Sequence, residues 1–386
     1  FFFQAEDGIG DVERSRGLGD VYKRQQYFIT PILAPLVMIG VLLGGHWMWL
    51  GLTVIFFVVI VGDAALGEDP SQPKYSYPWL IELPLHLALP LITLLLLSFA
   101  WTSGSGTQDF LGIGQLLTGW FAYDFFAARN ASIWSDYLGA ILGVGFIVAG
   151  YGTNVGHEFI HRLKDKISML QGRWLLSTSC NPDFAIEHVY GHHLTVGTKE
   201  DPATARKGEN VYAFFIRSTV MGHISAWKLE LKRLRKKEYN RISLRNRMIT
   251  GYMMSGFWCV IFFIAGGLFG LGLFLGQAIF AKFILEIVNY MEHYGLTRKA
   301  EQRIAPEHSW NSNKKMSSLV LFSLTRHSAH HEKPIVKFWE LDPYEDAPQM
   351  PYGYLTTLLF CLIPPLWYRI MTPRLNDWER DNVSII

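Results

Sequence analysis

From about residue 27 onward, long uncharged apolar stretches alternate with short polar turns. Several approach the roughly 20 residues that a helix needs to cross about 30 Å of hydrocarbon. They predict six crossings, approximately Tyr27 to Gly45, Trp47 to Leu66, Trp79 to Trp101, Trp134 to Phe159, Gly251 to Leu271 and Gly272 to Met291. The run Tyr354 to Met371 carries Pro364 and Pro365 between polar loops, which favours a re-entrant or interfacial segment over a seventh crossing. The expected fold class is an all-α integral membrane protein.

Composition agrees: half of the 386 residues are hydrophobic and 15% aromatic, more than a soluble domain of this size carries. The net charge of +2 conceals one asymmetry. Lys228 to Arg247 packs Lys232, Arg233, Arg235, Lys236, Lys237, Arg241, Arg245 and Arg247 just ahead of a hydrophobic span. The positive-inside rule puts this loop in the cytoplasm, and its place beside a membrane segment favours lipid headgroups over nucleic acid as what it faces. Cys180, Cys259 and Cys361 form no Cys-x-x-Cys pair, so disulfides, a zinc ribbon and a fused rubredoxin are unsupported. Phe1 to Gln25 is polar, mixed in charge and abruptly unlike the apolar spans after it, and is expected to be a non-native leader. Residues 26–386 are expected to form one membrane-bound domain.

Nine of the thirteen histidines fall into four groups at the ends of apolar segments or in the loops between them. His157 and His161 stand four apart, so on a helix both rings project from one face. His188, His192 and His193 repeat that spacing and add a neighbour, and His327, His330 and His331 use spacings of three and four. The fourth group is His293, beside Glu292 at the end of the last span. A lone histidine there would ordinarily be a hydrogen-bonded core residue, but ionisable pairs inside membranes are costly and mark function. Nine imidazoles exceed what one ion takes, whereas two ions with four or five ligands each fit. Iron, copper, nickel and zinc all remain open at this point. Glu158, Glu187, Asp201 and Glu292 lie near these histidines, where a carboxylate accepts the second imidazole N–H and orients the ring. His46, His86, His223 and His308 sit apart and read as structural, with His308 a further candidate for the outer shell.

Taken together, these residues resemble the membrane-bound alkane 1-monooxygenases, within the histidine-rich di-iron desaturases and hydroxylases. The resemblance covers nearly everything after Gln25. The His-x-x-x-His-His form of His188, His192 and His193 separates alkane and xylene hydroxylases from most desaturases, which use His-x-x-His-His. Asn289 to Leu296 is the most specific stretch; Gly67-Glu68-Asp69, Asp201-Pro202-Ala203-Thr204 and His308-Ser309-Trp310-Asn311-Ser312 agree as well. The resemblance implies six transmembrane helices and two non-haem iron ions held by the nine histidines on the cytoplasmic side of a bacterial inner membrane. It implies terminal hydroxylation of alkanes with O2, electrons coming from a separate rubredoxin or ferredoxin and its reductase. Apolar side chains of the second and third spans would line a substrate tunnel, with Ile55 near a position that limits chain length. Xylene-type hydroxylation and acyl desaturation are rival readings, and a metal transporter is the rival from another class. Two departures stand out. Ala329 replaces the usual Asp between the last histidines, with Glu332 a candidate substitute, and residues Gly104 to Ser132 form an apparent insertion expected to be an interfacial helix opposite the cytoplasm.

Overall fold

The structure, a computed structural model, describes residues 25–73, 75 and 77–382. The leader expectation, Phe1 to Gln25, falls outside the described residues except for Gln25. Among those described no β-strand forms, and pairing outside helices is limited to two isolated bridges.

Five helices are long and apolar enough to span a bilayer: α1 (Gln26–Leu43), α2 (Gly45–Leu66), α3 (Pro78–Thr102), α4 (Trp134–Ile160) and, after the polar helix α5 (Val211–Lys236), α6 (Arg247–His293). A straight 47-residue helix would run about 70 Å, more than twice the hydrocarbon core. Instead α6 doubles back at Gly266 and Gly267, the latter at φ 59, ψ −142, a conformation that only glycine adopts without strain. Ser255 on one arm and Gln277 on the other reach the adjacent carbonyls of Ser177 and Thr178, so the arms lie side by side. The six apolar rods therefore match the expected six crossings, but the reversal comes five residues before the expected Leu271–Gly272 boundary. Its cause is local: a Cβ on Gly266 would collide with Ser103 Oγ, while Gly270 and Gly272 stay helical.

The rods alternate in direction. The start of α1, where the Tyr27 hydroxyl meets Ser323, the end of α2, where Asp63 accepts from Ser317, and the ends of α4 and α6 gather at one end of the bundle. At the other end lie the α1–α2 turn, the Gly266–Gly267 reversal against Ser103, and residues 104–132. That insertion forms two short helices, Ile113–Trp120 and Phe125–Ala131, rather than the single one expected. Extended backbone at Phe121 and the Asp124 cap on Ala127 N–H separate them, and Leu116, Trp120 and Phe121 are exposed, as an interfacial position requires. The last two helices, α7 (Tyr354–Cys361) and α8 (Pro364–Asp381), meet at 119°, so they make no straight crossing.

Helix α5 lies at the histidine end. The basic run expected from sequence is its last turns and the loop beyond. Glu230 Oε1 accepts from the backbone N–H of Arg247 at 2.7 Å and from Arg233 Nη2 at 2.6 Å, tying α5 to the start of α6. Ile216 and Val220 on its outer side are exposed.

Candidate metal centre

All nine expected histidines are buried and converge through their Nε2 atoms. His157, His161, His188, His193 and His330 form one set and His192, His293, His327 and His331 the other, ligand atoms lying within 4.8 Å of one another in each set. Neighbouring Nε2 pairs are short: His157 to His188 2.7 Å, His193 to His188 and to His330 3.0 Å, His327 to His293 3.1 Å, His331 to His327 3.0 Å and to His192 3.2 Å. A neutral imidazole has one N–H and one lone pair, so such a cluster cannot satisfy itself by mutual hydrogen bonds. Donors at about 2.1 Å from one cation and at right angles stand about 3.0 Å apart. The spacing is that of two coordination shells, and the donor set fits two non-haem iron ions.

Local backbone explains how three rings of one short segment converge. Successive residues of an α-helix turn by about 100°, which would set His193 about 140° from His188 and facing away. Here His188–His192 is a π-helical turn, whose i→i+5 closure brings position i+5 round beneath position i. His188 and His193 thus share one set while His192 serves the other. The third group reaches the same result in an ordinary α-helical turn, His327–Glu332, with spacings of three and four. A second π-helical turn, Val148–Thr153, interrupts α4 just ahead of His157.

An apolar cavity of about 120 Å³ opens onto the histidines, many times the room that a single water needs and more than close packing leaves unfilled. It follows α4 from Phe146 to His157, and His157, His188 and His327 form its inner end. Ile55 and Val59 of α2 stand in its wall. The expected contribution of the third span is not found: α1, α2, α4, the returning arm of α6 and α7 line the cavity, and α3 does not. Its Ile92, Leu95, Leu96 and Phe99 are buried in the helix packing instead.

The family model for fatty acid desaturases matches residues 132–370, more than half of the chain and a stretch containing every one of the nine histidines. Alkane 1-monooxygenase 1 of Pseudomonas aeruginosa is 37% identical over 339 residues, 86% of this chain and 84% of that protein. Alkane 1-monooxygenase 2 of the same organism is 35% identical over 340 residues, 86% and 85%. The chain belongs to the membrane-bound alkane 1-monooxygenase family. The xylene/toluene monooxygenase hydroxylase component XylM of Pseudomonas putida is also similar, 31% identical over 364 residues, 92% of this chain and 90% of that protein. As a member of this family, within the fatty acid desaturases, the chain is an oxidoreductase.

The four expected carboxylates take four different positions in this family member. Asp201 accepts from His192 Nδ1 at 2.9 Å and is itself held by Thr204 Oγ1 and the backbone N–H of Ala203. Burial opposes charge on His192, but the charge of Asp201 and its hydrogen bond outweigh that and raise the ring's pKa. Burial holds His161 down to about 3 and pushes His188, His193, His330 and His331 well below their usual range. Those rings are neutral donors at pH 7. Glu292 lies on the other side of a ring: its Oε2 is 3.3 Å from His327 Nε2, the nitrogen that faces the cluster, while the Tyr354 hydroxyl donates to its Oε1 at 3.0 Å. Glu187, raised to about 8 by burial and by the charge of Asp201, leaves its Oε1 buried and unpaired. Glu158 turns away and pairs with Arg162 at 3.1 Å. Glu332 does not replace the carboxylate missing at Ala329, because Tyr344 and Lys333 hold it.

The four isolated histidines have other partners: Asp136 for His46, Gln171 for His86, Tyr252 for His223, and the N–H of Ala305 for His308. Tyr354 gives no signal in the sequence because it opens an unremarkable apolar run; only the fold lays it against Glu292.

Proposed function

We propose that the nine histidines hold two non-haem iron ions and that the protein hydroxylates the terminal carbon of medium- or long-chain alkanes, using O2 and electrons from a separate rubredoxin or ferredoxin. The observation that carries this reading is the end of the apolar cavity at His157, His188 and His327. An alkane offers no polar handle for acid–base chemistry, and an iron pair bound at the histidines supplies the oxidant for such a bond. The chain's own residues do the rest. His157, His161, His188, His193 and His330 present one set of donors, and His192, His293, His327 and His331 the other. Asp201 fixes the tautomer of His192, so that Nε2 keeps its lone pair for metal. The cavity wall, Ile55 included, excludes water and aims a chain end at the cluster. Long alkanes concentrate in lipid, and a cavity set among membrane helices takes them from there.

The arginine- and lysine-rich end of α5 shares the histidine end of the bundle, which supports a cytoplasmic orientation of the site in a bacterial inner membrane, where a soluble electron donor reaches it. A transporter would place its ligands near mid-bilayer on broken helices; here they gather at one end. The similarity to XylM supports a second reading, hydroxylation of aromatic methyl groups.

The test is iron content together with product analysis on purified protein supplied with reductase, rubredoxin, O2 and a mixture of alkanes, xylenes and acyl chains. About two irons per chain and 1-alkanols are expected, with iron and product both reduced by His293→Ala. Benzylic alcohols move the assignment to the xylene branch and alkenes to the desaturases; protein without iron or product overturns it.

A further inference from the structure

Hydroxylation puts one oxygen atom of O2 into a C–H bond and releases the other as water. Two electrons from the separate donor and two protons from solvent complete the balance. The walls of the apolar cavity are mostly aliphatic and aromatic, and its few polar groups, among them Thr30, Thr153, Asn154 and Ser317, are scattered among apolar neighbours.

A second cavity lies on the other flank of His188. It measures about 20 Å³, enough for a water molecule, which needs roughly 10–15 Å³. Asp183, Glu187, Ser218, Lys282, Glu286 and Asn289 border it. Lys282 and Glu286 lie on the returning arm of α6, where ionisable side chains are costly and mark pathways. Lys282 Nζ stands 2.8 Å from Glu286 Oε1 and 2.8 Å from Asn181 Oδ1, Ser218 Oγ donates to Glu286 Oε2, and Asn289 Nδ2 reaches the same oxygen at 3.4 Å. Two placements make this more than a buried ion pair. Towards solvent, the half-exposed His223 comes within 3.8 Å of Asp183 Oδ1. Towards the metal centre, Asn289, Phe184 and His188 border the polar chamber and the substrate cavity alike. The chamber thus joins the protein surface to the reaction end of the cavity along polar groups that the metal centre does not use.

We propose that this chamber is a hydrophilic conduit carrying protons from solvent to the metal end of the substrate cavity, by way of His223, Asp183, Glu286 with Ser218, and Asn289. It rests on the hydroxylase function proposed for the metal centre. The five residues are positioning residues that order water and pass protons along it; of them only Asn289 also borders the substrate cavity.

The test replaces the ion pair by apolar side chains of similar size, Lys282→Met/Glu286→Leu, a change that folded proteins commonly tolerate. Iron content is expected to stay at the wild-type level, while alkanol formed per electron consumed falls about tenfold, less than the roughly hundredfold or more that a group transferring the proton directly contributes, and the solvent isotope effect rises. A cryo-EM map of the wild-type protein in nanodiscs is expected to show ordered water in the chamber that Asp183, Ser218 and Glu286 border. A double variant that keeps wild-type rate, coupling and isotope effect overturns the conduit, as does a dry chamber. If the double variant loses iron or fails to fold, Ser218→Ala, which removes one hydroxyl, decides by the same readings. Wild-type protein that forms no alkanol at all overturns the hydroxylase reading instead, and the water density still judges the chamber.

Discussion

Asp201 shows what a single carboxylate does here. It holds His192 by one oxygen and is pinned by Thr204 and Ala203, so the ring cannot rotate or change tautomer freely. Asp201→Asn should weaken iron binding by about 10–100-fold, measured by competition with a chelator, while leaving the fold intact. Unchanged affinity would show that His192 is oriented by its neighbours alone. At this scale the sequence is highly legible. Histidine is scarce enough, and its spacings regular enough, that nine rings read as a set without any knowledge of the fold. The carboxylates are less legible, since adjacency along the chain does not say which side of a ring an acid will face. Glu158 follows His157 directly yet turns to Arg162, whereas Asp201, nine residues from His192, meets its Nδ1.

At the scale of the element, the π-helical turn at His188–His192 holds one residue more than an α-helical turn and still sets three imidazoles on one face. Deleting Tyr190 would leave spacings of three and four, those of His327, His330 and His331. The deleted protein should therefore retain about two irons per chain, whereas an alanine inserted after Tyr190 should lose metal. Metal analysis of the two purified variants separates them, and loss in the deletion variant would sink the idea. The α6 reversal invites a second measurement. Nothing crowds a Cβ at Gly267, so Gly267→Ala costs only backbone strain, about 2 kcal/mol, read as a lower unfolding temperature in detergent. Periodicity reveals the apolar rods but neither of these details. A π-helical turn differs from an α-helical one by a single residue of closure. Several glycines lie near the reversal, Gly266 and Gly270 both pack on Ser103, and only the folded backbone shows that the chain turns at Gly266 and Gly267.

Across the whole molecule, alternation of the rods carries residues far apart in sequence to one end of the bundle. His157, at the end of α4, and His293, at the end of α6, come to opposite sides of the same paired cluster. The cavity is a property of this scale, lined by α1, α2, α4, α6 and α7 together, which is why sequence names both Ile55, which stands in its wall, and the third span, which does not. The ligand arrangement also bears on how the protein is filled with metal. On the proposed assignment His192 and His193, and again His330 and His331, are consecutive residues that grip different ions. An ion seated in one shell fixes the peptide that aims a ring at the other, so the second should arrive at a site already shaped. Titrating apo-protein with ferrous iron should then pass from empty to doubly filled chains with little one-metal species, as native mass spectrometry would resolve. A long plateau of singly loaded protein would mean that the two shells are mechanically independent.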